Sequence, residues 1–265
     1  MKDVFSERVA VVTGAASGIG RGLATELAAR RARLALSDVN AARLAETAAL
    51  CAAEVRTYRV DVARREDVFD HAAAVLRDFG SVDFLFNNAG VALKATFEHA
   101  TLEEIDWQLS INLQGVIYCT KAFLPAMLAR RSGCIVNISS AAGLIGLPGL
   151  ASYCISKFGV RGLTEALWRE LEGTGVTAVT VHPGGVRTNI AADARKSGRA
   201  GAIEEETERT LEKLLVTPPE QCAAEILAGV AHGRRRIFPA KYATLFNLIS
   251  HLPPRWQDRV LSALS

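Results

Sequence analysis

Long apolar runs are missing from this 265-residue chain. A membrane-spanning helix needs about 18 or more consecutive apolar residues. The best candidate, AAGLIGLPGL at 141–150, is short and interrupted by glycine and proline. Cysteine is sparse and unpaired in pattern. Cys51, Cys119, Cys134, Cys154 and Cys222 make an odd count, form no C-x-x-C pair and have no histidine cluster at metal-ligand spacing. These features argue against a disulfide framework or a zinc site, predict no metal, and point to reduced, mostly buried thiols. A large excess of one charge is also absent: 31 Lys and Arg against 28 Asp and Glu give +3. That balance, without a basic stripe interleaved with aromatics, argues against a nucleic-acid partner. The first residues carry Asp3 and Glu7 and lack the basic start, apolar middle and cleavage site of a secretory leader, so a cytoplasmic protein is expected.

What is present is a chain with a large core. Hydrophobic residues make up 49% and charged ones 22%, a globular composition. Apolar strand-like runs at 8–13, 33–38, 55–61, 82–88, 134–140 and 175–184 alternate with helical stretches at 19–31, 41–53, 64–79, 101–130 and 153–171. Short apolar strands separated by helices predict an α/β fold. With right-handed crossovers this becomes a Rossmann-type doubly wound parallel sheet of about seven strands in a single domain spanning residues 1–265. The charged, glycine-containing stretch at 188–216 interrupts this alternation and is expected to form a substrate lid.

VVTGAASGIGRG follows the first strand and opens the first helix. Gly14, Gly18 and Gly20 allow close backbone approach to a phosphate, and the helix start offers free N–H groups. Asp38 ends the second strand about twenty positions further on, where a carboxylate can bond ribose hydroxyls and repel a 2′-phosphate. NAD is therefore expected over NADP. Arg21, inside the first helix, weakens that inference without reversing it.

Tyr153 and Lys157 are four residues apart in a helical segment, ASYCISKFGV, and so share one face. With the preceding motifs, this spacing resembles the short-chain dehydrogenase/reductase family over nearly all of residues 6–240. TGAASGIG, Asp61–Val62, NNAG at 87–90, Asn112, Ser140, Tyr153 with Lys157, and PGGVRT at 183–188 occur in the family's order.

The resemblance implies hydride transfer between a nicotinamide cofactor and a secondary alcohol or ketone. It implies catalytic roles for Asn112, Ser140, Tyr153 and Lys157, with Ser139 as support for Ser140. Tyr153 acts as general acid or base, its pKa lowered by Lys157 and by the positive nicotinamide ring. Asn112 holds a water that relays protons. The implied cofactor residues are Gly14, Ser17, Gly18, Ile19, Gly20, Asp38, Asp61, Val62, Asn88, Ala89, Gly90, Tyr153, Lys157, Pro183, Gly184, Val186 and Thr188. A homodimer or homotetramer is expected, paired through the helices at 101–130 and 153–171. His182 is read as structural.

Gly143, Leu144, Ile145, Leu147, Leu150 and the 189–215 segment are expected to shape an apolar pocket, so the substrate is a hydrophobic lipid, steroid or aromatic compound. In the tail, about 240–265, Leu245, Leu248, Ile249 and Leu252 fall on one helical face. Packing against the body or a subunit is the favoured reading, and peripheral membrane contact the alternative. Two other functions remain open: an NADPH-dependent 3-oxoacyl-thioester reductase meeting an acidic carrier through Arg234–Arg236, and a non-catalytic cofactor-sensing module.

Overall fold

The computed structural model describes residues 3–188, 190, 193–198, 201, 209 and 213–264. The elements in chain order are β1 (Val9–Thr13), α1 (Gly18–Ala29), β2 (Arg33–Asp38), α2 (Ala41–Ala49), β3 (Val55–Arg59), α3 (Arg65–Phe79), β4 (Phe84–Asn87) and β5 (Leu93–Lys94). They continue with α4 (Leu102–Leu109), α5 (Gly115–Arg130), β6 (Gly133–Ile138), α6 (Ala151–Glu170), β7 (Val176–Val181) and β8 (Arg195–Lys196). The chain closes with α7 (Pro219–Ala231), β9 (Arg236–Ile237), α8 (Ala243–Ile249) and α9 (Pro254–Leu264).

Seven strands form one parallel sheet in the order β3-β2-β1-β4-β6-β7-β9. The order reverses direction beside β1, which puts the β1 and β4 carboxyl ends at the crevice where ligands bind in such sheets. Side chains alternate across β1. Ala10 and Val12 join a core with Leu23 and Leu27 of α1 and Ile226 and Leu227 of α7. Val9 and Val11 join the opposite core with Val68 and Val75 of α3 and Phe123 of α5. Both faces are covered, so the strands read as continuous apolar runs rather than alternating ones. All five thiols are buried and free.

The stretch expected as one helix at 101–130 is divided. Thr101 and Glu104 form a capping box that starts α4: the Glu104 N–H donates to Thr101 Oγ1 at 3.2 Å, and the Thr101 N–H to Glu104 Oε2 at 3.0 Å. A π-helical turn at Ser110–Gln114 then separates α4 from α5. It adds one residue per turn and brings Asn112, fully buried, to the inner side.

His71 of α3 is 4% exposed, packs between the rings of Tyr58 and Phe123, and has no hydrogen bond at either nitrogen. Burial pushes its pKa down from 6.5 to about 4. The folded state therefore disfavours the proton that the unfolded state takes up. Stability from this site is complete above about pH 6.5 and is lost as pH falls toward 4, by about 2 kcal/mol at pH 5. His182, also pushed down to about 4 by burial, adds a second loss of the same sign. Thermal unfolding of His71→Phe at pH 7 and pH 5 is expected to show a smaller drop than the wild type. Equal drops would remove the role assigned to His71.

Candidate active site

A cavity of about 880 Å³ opens at the carboxyl ends of β1, β4, β6 and β7. From the turn after β1 it is lined by Gly14, Ser17, Gly18 and Ile19, and after β4 by Asn88, Ala89, Gly90 and Val91. Ser140, Tyr153 and Lys157 sit on its floor, with Pro183, Gly184, Val186 and Thr188 opposite.

Two glycines in the first turn are fixed by geometry. Gly14 has φ +66, and a Cβ there would lie 2.7 Å from Ala89 Cα. A Cβ on Gly20 would lie 2.1 Å from the Gly14 carbonyl oxygen. Any larger residue at either point pushes the turn off the helix start. Asn88 braces the same turn, its Nδ2 donating to the carbonyls of Thr13 at 3.0 Å and Gly14 at 3.2 Å. The Ser17 side chain does not cap α1, so the first N–H groups of the helix face the cavity without that partner.

Gly20, Asp38, Asp61, Val62 and Asn112 stand behind the lining rather than in it. Asp38 is held between two backbone N–H groups, from Ala16 to Oδ2 at 3.0 Å and from Asn40 to Oδ1 at 2.9 Å. Arg21 turns away from it: the guanidinium donates to Thr47 Oγ1 at 2.9 Å, the Ala16 carbonyl at 2.8 Å and Glu46 at 3.1 Å. Asp61 accepts from the Ala63 N–H at 3.0 Å, and Val62 packs over Gly115.

On the floor, the Ser140 hydroxyl accepts from the Ala142 N–H at 3.1 Å, and its carbonyl is hydrogen-bonded by His182 Nδ1 at 3.1 Å. Ser139 donates to the Lys157 carbonyl at 2.8 Å. Lys157 is 3% exposed, and its ammonium donates to the Ile138 carbonyl at 3.0 Å. Burial pushes its pKa down to about 8.

Two of the expected roles take a particular form here. Burial pushes the Tyr153 phenol up to about 12, outweighing the Ser140 hydroxyl, which pulls the other way. The Lys157 ammonium lies 5.6 Å from the Tyr153 ring centre, over the ring face. The chain by itself therefore keeps the phenol protonated. Second, Asn112 acts mainly as a clamp. Its Oδ1 accepts from the Val91 N–H at 2.8 Å, and Nδ2 donates to the Val91 carbonyl at 2.9 Å and to Ser156 Oγ at 3.3 Å. Both amide hydrogens are used, leaving one Oδ1 lone pair for any water.

The far wall also differs from expectation. Leu147 and Leu150 line the cavity, but Gly143, Leu144 and Ile145 do not. Leu144 and Ile145 instead form a buried cluster with Phe246 and Ile249 of the tail. The face expected from Leu245, Leu248, Ile249 and Leu252 is not the buried one. Phe246 and Ile249 are 8% and 2% exposed, whereas Leu248 is 62% exposed. Successive α8 residues turn by about 100°, so 243, 246 and 249 face inward and 245 and 248 outward. The tail packs on the body, and Phe246, Asp258 and Leu261 reach the cavity.

Most of the expected lid lies outside the described residues. Of the rest, β8 pairs with β5, Arg195 stacks on Trp107 at 3.8 Å, and Asp193 meets Arg43 at 3.6 Å. Leu214 and Leu215 line the cavity.

A crossover-wound parallel sheet, a glycine turn opening a helix, and a Tyr–Lys pair facing the same cavity define a nucleotide-dependent oxidoreductase. The sequence pattern of the short chain dehydrogenase family matches residues 8–198, and the chain belongs to that family. It is thus an NAD(P)-dependent oxidoreductase acting on alcohols. SadH of Mycobacterium tuberculosis is 40% identical, the match covering 98% of this chain and 95% of SadH. Human estradiol 17-beta-dehydrogenase 11 is 35% identical over 96% of this chain and 82% of its own length. A Burkholderia phymatum short chain dehydrogenase/reductase in complex with NAD superposes with a TM-score of 0.83 at 33% identity, over 89% of this chain and 90% of its own. A metagenomic short-chain oxidoreductase in complex with NADP gives 0.69 at 29% identity, over 86% and 91%.

Proposed function

We propose that the chain is an NAD-dependent dehydrogenase interconverting a secondary alcohol and a ketone on a hydrophobic substrate, a lipid, steroid or aromatic compound. The observation that carries this reading is the apolar wall of Leu147, Leu150, Leu214, Phe246 and Leu261 facing a floor of Ser140 and Tyr153. At about 880 Å³ the cavity is large enough for cofactor and substrate together. The name of the human relative, an estradiol dehydrogenase, agrees with an apolar alcohol.

The residues present fit a nicotinamide dinucleotide. The glycine turn has no room for a Cβ, and the α1 start faces the cavity. Among the described residues, the buried Lys157 ammonium has one hydrogen bond, to Ile138, leaving donors for ribose hydroxyls. Gly14, Ser17, Gly18 and Ile19 would hold the pyrophosphate, Asp38 the adenosine ribose, Asp61 and Val62 the adenine side, and Pro183, Gly184, Val186 and Thr188 the nicotinamide end. When bound, the cofactor supplies the hydride acceptor or donor.

The chain's own residues manage the proton. Ser140, fixed through Ala142 and His182, hydrogen-bonds the substrate oxygen. Tyr153 gives its phenolic proton to a ketone oxygen or takes one from an alcohol. Lys157 holds positive charge beneath that ring. One domain carries the site, with Leu214 and Leu215 beyond Thr188 and Phe246 and Leu261 of the tail on its lining. The α6 residues Ile155 and Phe158, 48% and 40% exposed, form an outward apolar pair that supports a homo-oligomer. The carrier-docking alternative is weakened because Arg236 is engaged by Glu165 and Trp168.

The test is nicotinamide absorbance with NAD and NADP on 2-propanol, 2-octanol and a 17β-hydroxysteroid, and with NADH and NADPH on an acetoacetyl thioester. Turnover of 2-octanol or the steroid with NAD is expected to exceed that of 2-propanol by about 10-fold or more, as several buried methylenes allow. Turnover confined to the thioester with NADPH, or none with any secondary alcohol, defeats the proposal.

A further inference from the structure

Ser152 immediately precedes Tyr153 and is 3% exposed. Serines near a helix start usually bond their own backbone or water. This one donates to Gln108 Oε1 at 2.6 Å, across to the last turn of α4. Gln108 is fully buried, and a buried side-chain amide ordinarily has a purpose for its hydrogen bonds. Its Nε2 donates to the Val91 carbonyl at 3.3 Å, the same oxygen that receives Asn112 Nδ2 at 2.9 Å.

A second link runs in parallel. The other Asn112 hydrogen reaches Ser156 Oγ at 3.3 Å, and Ser156 donates to the Tyr153 carbonyl at 2.7 Å. The first two turns of α6 are therefore tied at residues 152 and 156 to one backbone unit, Val91, which lines the cavity. The two ties bracket Tyr153. Both serine hydroxyls and both Asn112 amide hydrogens find acceptors within the network, and Gln108 commits one Nε2 hydrogen to it, so the ties have a defined direction.

Asn112 belongs to the set implied by the family resemblance; Gln108 and Ser152 belong to no motif read from the sequence. We propose that Gln108 and Ser152 are positioning residues that fix the depth of the Tyr153 phenol relative to the cavity floor. This rests on the reading of Tyr153 as the proton-transfer group. Near-attack geometry is sensitive to small displacements, so loss of the tie acts on turnover more than on binding.

The test uses full-length Ser152→Ala, Gln108→Leu, the double variant and Ser152→Thr. With 2-octanol and NAD, each single variant is expected to lower kcat about 10-fold with KM and NADH affinity within about two-fold. The double variant should fall no further than Gln108→Leu, because both singles break the Ser152–Gln108 bond and Gln108→Leu already removes the bond to Val91 as well. Ser152→Thr keeps the hydroxyl and should restore kcat. Unchanged kcat in both singles, or losses that multiply in the double, overturns the proposal.

A second readout needs no substrate. The chain has four tyrosines. The ¹³Cζ NMR signal of Tyr153, assigned with Tyr153→Phe, should move in both single variants and return in Ser152→Thr. An unmoved signal overturns the positioning role even if wild-type protein ignores 2-octanol, an outcome that counts only against the substrate reading.

Discussion

Tyr153→Phe is expected to lower turnover by about 10³-fold while leaving NADH affinity within about three-fold. The substitution removes one oxygen and keeps the ring, so the packing of Tyr153 against Ala142, Leu150 and Cys154 survives. What disappears is the only phenolic group on the cavity lining among the described residues, and with it the proton that must accompany the hydride. Ser140 cannot replace it, because a hydroxyl of ordinary acidity is a poor proton donor at neutral pH. The phenol pKa adds a direction. Pushed up to about 12, the phenol carries its proton at neutral pH and is ready to donate it. Alcohol oxidation needs the deprotonated form, so its kcat should rise from about pH 7 to about pH 10, while ketone reduction should not. Steady-state rates and a fluorescence titration of NADH decide both points. Retention of a tenth of wild-type turnover in Tyr153→Phe would move the proton step to another group.

The parts legible in sequence are those in which a local pattern has a local cause. Apolar runs such as VAVVT must be buried on both faces, which predicts the parallel sheet. The Tyr153–Lys157 spacing needs only one turn of helix. Legibility stops where the cause is distant. The π-turn at Ser110–Gln114 changes the inner face by one residue, and no periodicity in SINLQ announces it. Gln108 reads as an ordinary polar helix residue until α6 arrives with Ser152. His182, read as structural from the sequence, is so: its ring holds the Ser140 carbonyl and stacks on Phe238. The tail pattern of Leu245, Leu248, Ile249 and Leu252 identified a helix but not its inner face. That choice depends on Leu144 and Ile145, more than 100 positions before Phe246 and Ile249. The upward push on the Tyr153 phenol in the chain by itself has the same kind of distant cause. The Tyr153–Lys157 spacing is visible in sequence, whereas the enclosure that pushes the phenol up is a property of the assembled cavity.

The strongest cofactor prediction concerns Asp38. Wild-type protein is expected to prefer NAD to NADP by about 10² in kcat/KM. Two features make this sharper than a carboxylate at the end of a strand. First, the Ala16 and Asn40 N–H groups hold both carboxylate oxygens, so the charge cannot swing aside to admit a phosphate. Second, the nearest candidate for compensation is spent. Arg21 is distributed over Thr47, Ala16 and Glu46, and the Glu46 contact offsets its charge. Two like charges about 4 Å apart near a protein surface repel by about 4 kcal/mol, of which solvent and counterions leave enough for a 10²-fold preference. Asp38→Asn keeps the shape and an acceptor oxygen while removing the charge. It should raise kcat/KM for NADP about 10-fold and lower that for NAD by less than about 10-fold. A merely structural Asp38 predicts something different: both cofactors weaken together and the ratio stays fixed. The ratio therefore separates charge repulsion from loss of the turn that Asp38 also supports, and a wild type that uses NADP as well as NAD ends the argument.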